Sequence, residues 1–473
     1  MNVRVTTLRQ QSLDTQPWLS PERAELLTAF YKTAEPASVP VLRARAFAYL
    51  LANKTIHIGP GELIVGERGP APKGTPTYPE LCCHTLEDLD VLDTREKIRC
   101  TVSSEAKQTY ARDIIPVWQG RSMRDRLFAE MTADWTAAYE AGVFTEFMEQ
   151  RAPGHTALGD VIYRKGFLDL EADIERSLAA LDYFGDPQAY DKQEELKAMR
   201  MACDAIIRFA GRHAEKARAL AVAEPDPNRR RELEAIAAVC DRVPAHAPRT
   251  FHEALQAYWF VHLGVITELN TWDAFNPGRL DQHLYPFFRR ERDAGTLTEE
   301  HARELLQCFW VKFNNQPAPP KVGVTAAESG TYTDFANINT GGLRTDGSDG
   351  VNDLTYLILD VIDEMRLLQP SRTISRATSV SSARSGTARR NTATTTSGPM
   401  GCCDGSSTPC TSWSKGVPTR AAASSASTTS RRPATSTSAR SPAPRPTTAW
   451  RSRRCPTASR RSRAPTATAP PRS

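Results

Sequence analysis

The sequence predicts a mixed α/β fold in which helices dominate, followed by a long tail without regular structure. Three observations favour this class. Several segments within the first 371 residues carry apolar side chains at helical spacing. Shorter runs of β-type residues lie between these segments. The final 102 residues lose both patterns.

The predicted helices have recognisable beginnings. The stretch LSPERAELLTAFY places Ser20 at an N-cap and Pro21 at the first helical position, where its missing N–H group costs nothing. The stretch TFHEALQAYWFVHL opens with a capping box of Thr250 and Glu253 ahead of a strongly apolar helix. The stretch VNDLTYLILDVIDEMRLLQP predicts another amphipathic helix, which Pro370 closes.

One further helix is defined by its apolar face, and two short segments predict strands. In LTEEHARELLQCFWVKF the helical spacing selects six side chains for one face: Ala302, Leu305, Leu306, Phe309, Trp310 and Phe313. The runs IHIGPGELIVGE at 56–67 and KVGVT at 321–325 have β-type composition. Strands are therefore expected between the helices.

The cysteines and the apolar runs bear on the compartment. None of the ten cysteines has C-x-x-C spacing, so a metal site of that type is not expected. The first residues, MNVRVTTLRQQSLDTQPWL, contain no apolar run of signal-peptide length, and no window is apolar enough to span a membrane. A cytoplasmic protein with reduced thiols is the expectation.

The charge is divided unevenly along the chain. Residues 372–473 hold 17 Arg, one Lys and one Asp, a net charge of +17, whereas the first 371 residues hold 42 basic and 54 acidic residues, a net charge of −12. The tail lacks Leu, Phe, Tyr, His, Glu and Gln. It cannot bury enough apolar surface to offset its ordering entropy, so it is expected to be disordered.

Two explanations compete for the tail. It could be a basic arm that binds nucleic acid or another polyanion through counterion release. Alternatively, it could be the product of a shifted reading frame. Its eight dominant residue types have C or G at the middle codon position. In a GC-rich gene the third codon position is mostly G or C, and a shifted reading frame moves that bias into the middle position. We favour the frameshift, because a basic arm usually mixes Lys with Arg or repeats a motif.

The first 371 residues resemble a known family. The stretches IHIGPGELIVGERG, DIIPVWQGRSMRDRL and RAPGHTALGDVIYRKGFLDL are similar to successive segments of the glycyl radical enzymes, the pyruvate formate-lyase superfamily. The stretches HLGVITELNTWDAFNPGRLDQHLYPFF and FNNQPAPPKVGVTAAESGTYTDFANINTGG resemble its trans-4-hydroxy-L-proline dehydratase branch in particular. Residues 1–371 are therefore interpreted as the N-terminal part of such a domain, and 372–473 as a frameshift product.

The resemblance implies a fold and a mechanism. The family fold is a ten-stranded α/β barrel of two antiparallel five-stranded halves, ringed by helices, of which this chain would hold the first part. A separate activating enzyme with an iron–sulfur cluster and S-adenosylmethionine makes a glycyl radical. That radical generates a thiyl radical on a cysteine, which takes hydrogen from the substrate under anaerobic conditions. The family also suggests a homodimer.

The resemblance further implies a substrate pocket. The matching positions are Phe147, His155, Asp273, Ser329, Asp334 and Phe335. Ser329 would bind the substrate carboxylate, Asp334 the ring ammonium, and Phe335 would pack on the ring. Phe147 would form an aromatic wall and His155 a polar contact, while Asp273 would relay a proton as water departs.

Four of these residues also have a structural interpretation. Ser329, Asp334 and their polar neighbours could satisfy backbone groups in a turn and at a strand end. Asp273 could form an Asx-turn ahead of Asn276, and His155 could be an ordinary loop residue. Without the resemblance the structural interpretation would be preferred for Ser329 and Asp334, whereas for Asp273 the two interpretations carry equal weight.

The radical machinery of the family is missing from the sequence. No Gly-Cys-x-Glu motif occurs, and neither does the glycine motif Arg-Val-x-Gly-aromatic. The string MGCCDG offers Cys402 or Cys403 with Asp404, but its surroundings match nothing in the family and we interpret it as chance. The chain as written is therefore expected to be inactive and to bind no cofactor directly.

Other reactive residue types are assigned structural roles. His262 is expected to be a buried core histidine bonded to a neighbour, and Cys308 a structural residue of an apolar helical face. Cys82 and Cys83 have nothing nearby in sequence that would lower a thiol pKa.

Two classes of alternative to a hydroxyproline dehydratase remain open. The alternatives within the family are glycerol or diol dehydratases, choline lyases and pyruvate formate-lyase-like acyltransferases. Outside it, the chain could be a non-catalytic protein with a polyanion-binding tail, although a nucleic-acid partner is not favoured.

Overall fold

Helices dominate the structure. The computed structural model describes residues 1–144, 158–269, 276–328 and 336–375. Within these ranges the chain forms sixteen α-helices and four short strands. The prediction of a mixed fold in which helices dominate is therefore confirmed.

The helices and strands follow one another along the described chain with these bounds: α1 (Val3–Asp14), β1 (Trp18–Ser20), α2 (Glu22–Thr33), α3 (Val39–Asn53), β2 (Gly74–Pro76), α4 (Leu86–Thr94), α5 (Ser104–Thr109), α6 (Ile115–Trp118), α7 (Met123–Ala129), α8 (Ala133–Glu140), α9 (Phe167–Ala179), α10 (Ala189–Ala223), α11 (Pro227–Arg242), α12 (Phe251–Glu268), α13 (Leu280–Asp293), α14 (Glu299–Asn314), α15 (Gly323–Glu328), β3 (Asn337–Gly341), α16 (Asp353–Met365) and β4 (Ser371–Ser375). A π-helical turn, Tyr110–Ile114, joins α5 to α6, and a 3₁₀ turn, Val161–Tyr163, precedes α9.

Helix α12 lies at the centre of the hydrophobic core. Of its 18 residues, 14 are buried, including polar ones. A helix that is apolar on all sides must be covered on all sides. Its neighbours in the core include α3, α10, α11, α13 and α14. The six side chains predicted for the apolar face of α14 are all buried, as that helical spacing requires.

The two sheets are small and parallel. Strand β1 pairs with β2 from Trp18 opposite Gly74 to Ser20 opposite Pro76. Strand β3 pairs with β4 from Asn337 opposite Ser371 to Gly341 opposite Ser375. Parallel strands need long connections, and here α16 lies between β3 and β4 in sequence.

The strand prediction for 56–67 is wrong, and the reason is physical. This segment is mostly buried and turns at 60–61, and main-chain groups at Val65 and Gly66 bond to side chains of α12 instead of to a neighbouring strand. Gln256 accepts from Val65 N at 2.9 Å and donates to Val65 O at 3.0 Å. Trp259 Nε1 donates to Gly66 O at 2.9 Å. The apolar run indicated burial correctly, but not the partner of its backbone.

Three smaller predictions also need correction. Residues 321–325 are not a strand, since α15 begins at Gly323. Ser20 ends β1, and Pro21 takes the N-cap position of α2. At α12 the Thr250 side chain accepts from Glu253 N at 3.1 Å, but the Glu253 carboxylate accepts from Arg249 N, so only half of the predicted capping box forms.

Strand β4 extends past the predicted boundary at Ser371. Its register with β3 continues through Arg372, Thr373 and Ile374 to Ser375. Composition predicted disorder from residue 372 onward, whereas a parallel pair is held by main-chain groups and does not require apolar side chains at each position. The regular structure therefore continues four residues further.

A buried group of charged and amide side chains joins α14 to the 56–67 segment. Lys312 is 2% exposed, and its Nζ lies 2.5 Å from Glu62 Oε1 and 2.9 Å from Glu67 Oε1. Asn315 Nδ2 donates to Glu67 Oε1 at 3.0 Å, and Gln316 Nε2 donates to Glu67 Oε2. We call these five residues the Lys312 cluster. Burial favours loss of the Lys312 proton, but the two carboxylates prevail and raise its pKa.

None of the helices in the described ranges is long and apolar enough to cross a membrane.

Candidate functional site

The six residues predicted to line a pocket lie outside the described residues. Phe147 and His155 belong to 145–157, Asp273 to 270–275, and Ser329, Asp334 and Phe335 to 329–335. Cys402, Cys403 and Asp404 also lie outside. The described residues on either side of these three segments show which parts of the fold carry them.

Helix α8, which precedes the first segment, contacts α15, which precedes the third. The Tyr139 hydroxyl of α8 accepts from Val324 N at 3.2 Å and from Arg124 at 3.0 Å. Beyond α8, Phe144 packs edge-on against Trp135 with 5.3 Å between ring centroids. The chain therefore enters 145–157 and 329–335 from neighbouring positions.

Two side chains, Asp88 near the start of α4 and Arg95 just after its end, form hydrogen bonds with main-chain groups of α15. Asp88 Oδ1 accepts from Gly323 N at 2.8 Å, while its Oδ2 caps α4 by accepting from Thr85 N at 2.8 Å. Arg95 donates to Ala326 O at 2.7 Å. Burial lowers the pKa of Arg95. Bonds at both ends of this short helix fix the direction in which the chain leaves it.

Gly323 adopts a left-handed conformation at the start of α15, with φ +58°. A Cβ at this position would lie 2.5 Å from Tyr139 Oη and 2.9 Å from an Arg124 nitrogen. We therefore expect Gly323→Ala to lower the free energy of unfolding by about 2 kcal/mol, from backbone strain together with the displaced Tyr139 contact. Urea unfolding followed by circular dichroism measures the change.

Gly295→Ala is the matched control for this prediction. Gly295 has φ +69°, but nothing lies within 4 Å of its added Cβ. Gly295→Ala introduces the backbone strain but displaces no neighbouring side chain, so it should lower the free energy of unfolding less than Gly323→Ala does. Equal losses in the two variants would show that the Tyr139 contact does not stabilise α15.

The described end of the second segment lies against β3. Asn339 N of β3 donates to Gly278 O at 3.3 Å, and Asn276 Oδ1 accepts from Gly278 N at 2.9 Å. Asn276 is buried. Residues 276–278, which follow Asp273, are thus bonded to the strand that begins just after Phe335.

Asp281 fixes the far end of β3. Its Oδ2 accepts from Gly341 N at 2.7 Å and from Thr355 Oγ1 at 2.5 Å, so one carboxylate joins α13, β3 and α16. Gln282 Nε2 donates to Gly341 O at 2.8 Å. Burial raises the pKa of Asp281, although its hydrogen bonds act in the opposite direction.

The residues that follow the first segment pack on α13. The Tyr163 ring stacks on His283 with 5.5 Å between centroids, and Phe287 lies 6.2 Å away. Burial raises the pKa of Tyr163 and lowers that of His283, while nearby Asp160 favours the protonated ring of His283. Described residues that flank each of the three segments therefore contact α13, β3 or α15.

The other reactive residue types have the structural roles expected of them. His262 is completely buried, its Nδ1 lies 3.1 Å from the Tyr258 hydroxyl, and burial lowers its pKa to about 3. Cys308 is buried within α14, and burial raises its pKa to about 12. Burial likewise raises the pKa of Cys83 to about 12, so this thiol is not activated.

Sequence reasoning missed Asp88, Tyr139 and Asp281 as the residues that hold the pocket-bearing segments. Asp88 carries a weak signal, because it stands three residues after Thr85 at a helix start. Tyr139 and Asp281 carry none, since their partners lie 185 and 60 residues away in sequence. In the described part of the chain, no group of three His, Cys, Asp or Glu side chains could hold a metal ion.

Comparison with known proteins decides the family. A family model described as pyruvate formate lyase-like matches residues 1–382. The chain belongs to the pyruvate formate lyase-like family. The resemblance drawn from the sequence is confirmed, and the fold is the incomplete first part of the barrel that this family's structures share.

The pyruvate formate lyase-like chain is similar to trans-4-hydroxy-L-proline dehydratase of Clostridioides difficile. The identity is 57% over 372 residues, which cover 78% of this chain and 47% of that protein. The crystal structure of hydroxyproline dehydratase from Clostridioides difficile with trans-4-hydroxy-L-proline bound matches with a TM-score of 0.76 and 56% identity. That match covers 79% of this chain and 48% of the other.

A more distant relative in the family is the glycerol-bound, B12-independent glycerol dehydratase from Clostridium butyricum. Its structure has a TM-score of 0.73 and 27% identity, covering 79% of this chain and 47% of that one. This chain therefore spans about half the length of the relatives it matches.

Proposed function

We propose that residues 1–371 are the N-terminal part of a glycyl radical dehydratase that removes water from trans-4-hydroxy-L-proline. One observation carries the choice of substrate. Identity is 56% to the structure that holds trans-4-hydroxy-L-proline but only 27% to the structure that holds glycerol, although both cover 79% of this chain. The difference favours an amino-acid ring over a diol.

The proposed pocket uses the six residues that the sequence selects. Ser329 binds the substrate carboxylate, Asp334 the ring ammonium, and Phe335 packs on the ring. Phe147 supplies an aromatic wall and His155 a polar contact, while Asp273 relays a proton as the hydroxyl leaves as water. A pocket of this kind must pair both charges of a zwitterion and exclude water from radical chemistry.

The described structure supports this proposal through the residues that flank the pocket segments. Tyr139 and Asp88 bond to α15, which precedes the third pocket segment. Asn339 bonds to Gly278, which follows the second segment. Polar side chains on chain segments that are fixed at their ends are preorganised to orient a small substrate. The Asp281 carboxylate serves this role for β3 without contacting substrate in the proposal.

The cysteine and glycine motifs of the radical relay are absent from the sequence. We infer that the chain as written is inactive and that the intact protein requires the family's activating enzyme, with its iron–sulfur cluster and S-adenosylmethionine. A homodimer and a cytoplasmic location are parts of the same proposal. We assign the composition of the tail beyond β4 to a shifted reading frame. Reading the DNA after codon 371 in all three frames tests this assignment, and an unshifted in-frame continuation would reject it.

Turnover by a frame-restored gene product tests the substrate. After anaerobic activation it should consume trans-4-hydroxy-L-proline and leave glycerol unchanged. Asp334→Asn should lower kcat/KM for hydroxyproline by roughly 10- to 100-fold, since a charged hydrogen bond contributes about 1.5–3 kcal/mol.

Asp346→Asn is the control, because Asp346 bonds only its neighbour Ser348 in an exposed turn among the described residues. It should leave turnover unchanged. Glycerol consumption without hydroxyproline consumption would reject the substrate, while equal effects of the two variants would reject the role of Asp334.

A further inference from the structure

A small cavity lies beside the end of α12. Its volume is ≈ 10 Å³, and its lining includes Ser20, Arg23, Lys54, Arg68 and Thr267. A cavity of about this size holds one water molecule or an ion of similar radius. Any occupant is therefore a single small particle.

Three buried cationic side chains line this cavity, together with the Glu22 carboxylate. Arg23, Lys54 and Arg68 are 6%, 4% and 3% exposed. Arg23 pairs with Glu80 at 2.7 Å and donates to Thr267 O at 2.6 Å, so a carboxylate already neutralises it. Lys54 has no such arrangement.

Lys54 is buried with little compensation. Its Nζ donates to Glu67 O at 2.8 Å and lies 5.0 Å from the centre of the Phe209 ring. Among the residues that the structure describes, Lys54 forms no ion pair. An ammonium group has three donor hydrogens, and a buried charge without a counter-charge costs several kcal/mol.

Two carboxylates, Glu22 and Glu67, favour the charged form of Lys54, but neither forms an ion pair with it among the described residues because their oxygens are bonded elsewhere. Glu67 accepts from Lys312, Asn315 and Gln316 within the Lys312 cluster. Glu22 also lines the cavity, but its Oε1 accepts from Thr55 N at 2.8 Å and from Thr55 Oγ1 at 2.6 Å at the surface. Burial nevertheless lowers the pKa of Lys54 to about 8, and the positive charges of Arg68 and Arg212 act in the same direction.

Thr267 supplies the second independent observation. It is 2% exposed and lines the cavity, and in the described part of the chain its hydroxyl oxygen makes no hydrogen bond. A buried hydroxyl without a partner is costly. A ligand in the cavity that accepts from both Lys54 and Thr267 removes both costs.

We propose that this cavity binds a single halide ion, chloride under ordinary conditions, between the Lys54 ammonium and the Thr267 hydroxyl. Chloride accepts hydrogen bonds from both groups and supplies the negative charge that a water molecule lacks. The ion links α3 to the end of α12, two residues before the chain leaves the described range at Leu269. This proposal is independent of the proposed dehydratase activity.

The test compares sodium chloride with sodium gluconate at equal ionic strength, because gluconate is too large for the cavity. The melting temperature of the full chain should be several degrees higher in chloride and should saturate as chloride replaces gluconate. Crystals grown with sodium bromide should show an anomalous peak beside Lys54 Nζ. Equal melting temperatures and no peak would overturn the proposal, and would identify the occupant as water.

Two variants separate this site from general salt effects. Lys54→Met and the nearly isosteric Thr267→Val should each reduce the chloride-dependent shift, with Lys54→Met abolishing it. Lys192→Met is the control, because Lys192 is exposed and pairs with Asp186 at the surface, and it should keep the full shift. If Lys54→Met does not fold, Thr267→Val alone decides. A full chloride response in Thr267→Val would contradict the proposed contact.

Discussion

Lys312→Met is expected to remove a large part of the chain's stability. The substitution leaves Glu62 and Glu67 buried, at 5% and 3% exposure, without the ammonium that neutralises them. Breaking a buried pair from one side costs about 3–5 kcal/mol, out of a total that is typically 5–15 kcal/mol. Urea unfolding followed by circular dichroism should show a midpoint far below that of the parent chain.

Two variants make this prediction specific. Lys192→Met removes an exposed lysine that pairs with Asp186 at 2.6 Å, and such pairs contribute at most about 1 kcal/mol. The double variant Lys312→Met/Glu67→Gln removes one of the stranded charges and should regain part of the loss. A Lys312→Met midpoint equal to that of Lys192→Met would disprove the role of the Lys312 cluster.

Mild acid is expected to destabilise the chain steeply, because three histidines are buried in the neutral form. Burial lowers the pKa of His213 and His262 to about 3 and that of His252 to about 4, against 6.5 for an ordinary histidine. Below pH 6.5 the unfolded chain takes up protons that the folded chain excludes, so stability is lost as the pH falls. At pH 5 each of these buried neutral histidines lowers the free energy of unfolding by about 2 kcal/mol.

The measurement is the urea midpoint between pH 7 and pH 5. His252→Gln should flatten the profile by the contribution of one proton, because the amide can still donate to Leu63 O, which His252 Nε2 contacts at 2.9 Å. His301→Gln is the control, since His301 is exposed. A parent midpoint that does not change with pH would show that these rings titrate in the folded state.

The sequence predicted those elements whose pattern is local. The sequence shows the apolar face of helix α14 because large apolar side chains recur there at helical spacing, although the structure also buries the polar residues between them. The segment at 56–67 shows the limit, since composition reveals burial but not that Gln256 and Trp259, almost 200 residues away, bond its backbone. The backbone partner of a buried segment is a tertiary property.

The candidate site divides in the same way. The pocket residues were selected by resemblance and remain predictions, because they lie outside the described residues. Their neighbours could not be selected from sequence. The Tyr139 hydroxyl matters because α8 and α15 meet, and the Asp281 carboxylate because three elements meet at it. In the sequence, neither the residue type nor the spacing of Tyr139 and Asp281 distinguishes them from other tyrosines and aspartates.

The pairing of β4 with β3 has a consequence for protein engineering. The edge of β3 specifies the direction and register of the added strand through main-chain N–H and C=O groups. It does so for Arg372 to Ser375 although the composition changes at Ser371. Peptides grafted after Pro370 should therefore dock here when they can extend and carry no proline at a bonded position. The edge of β3 can therefore pair with an unrelated sequence, provided that its backbone can form the main-chain hydrogen bonds of a parallel strand.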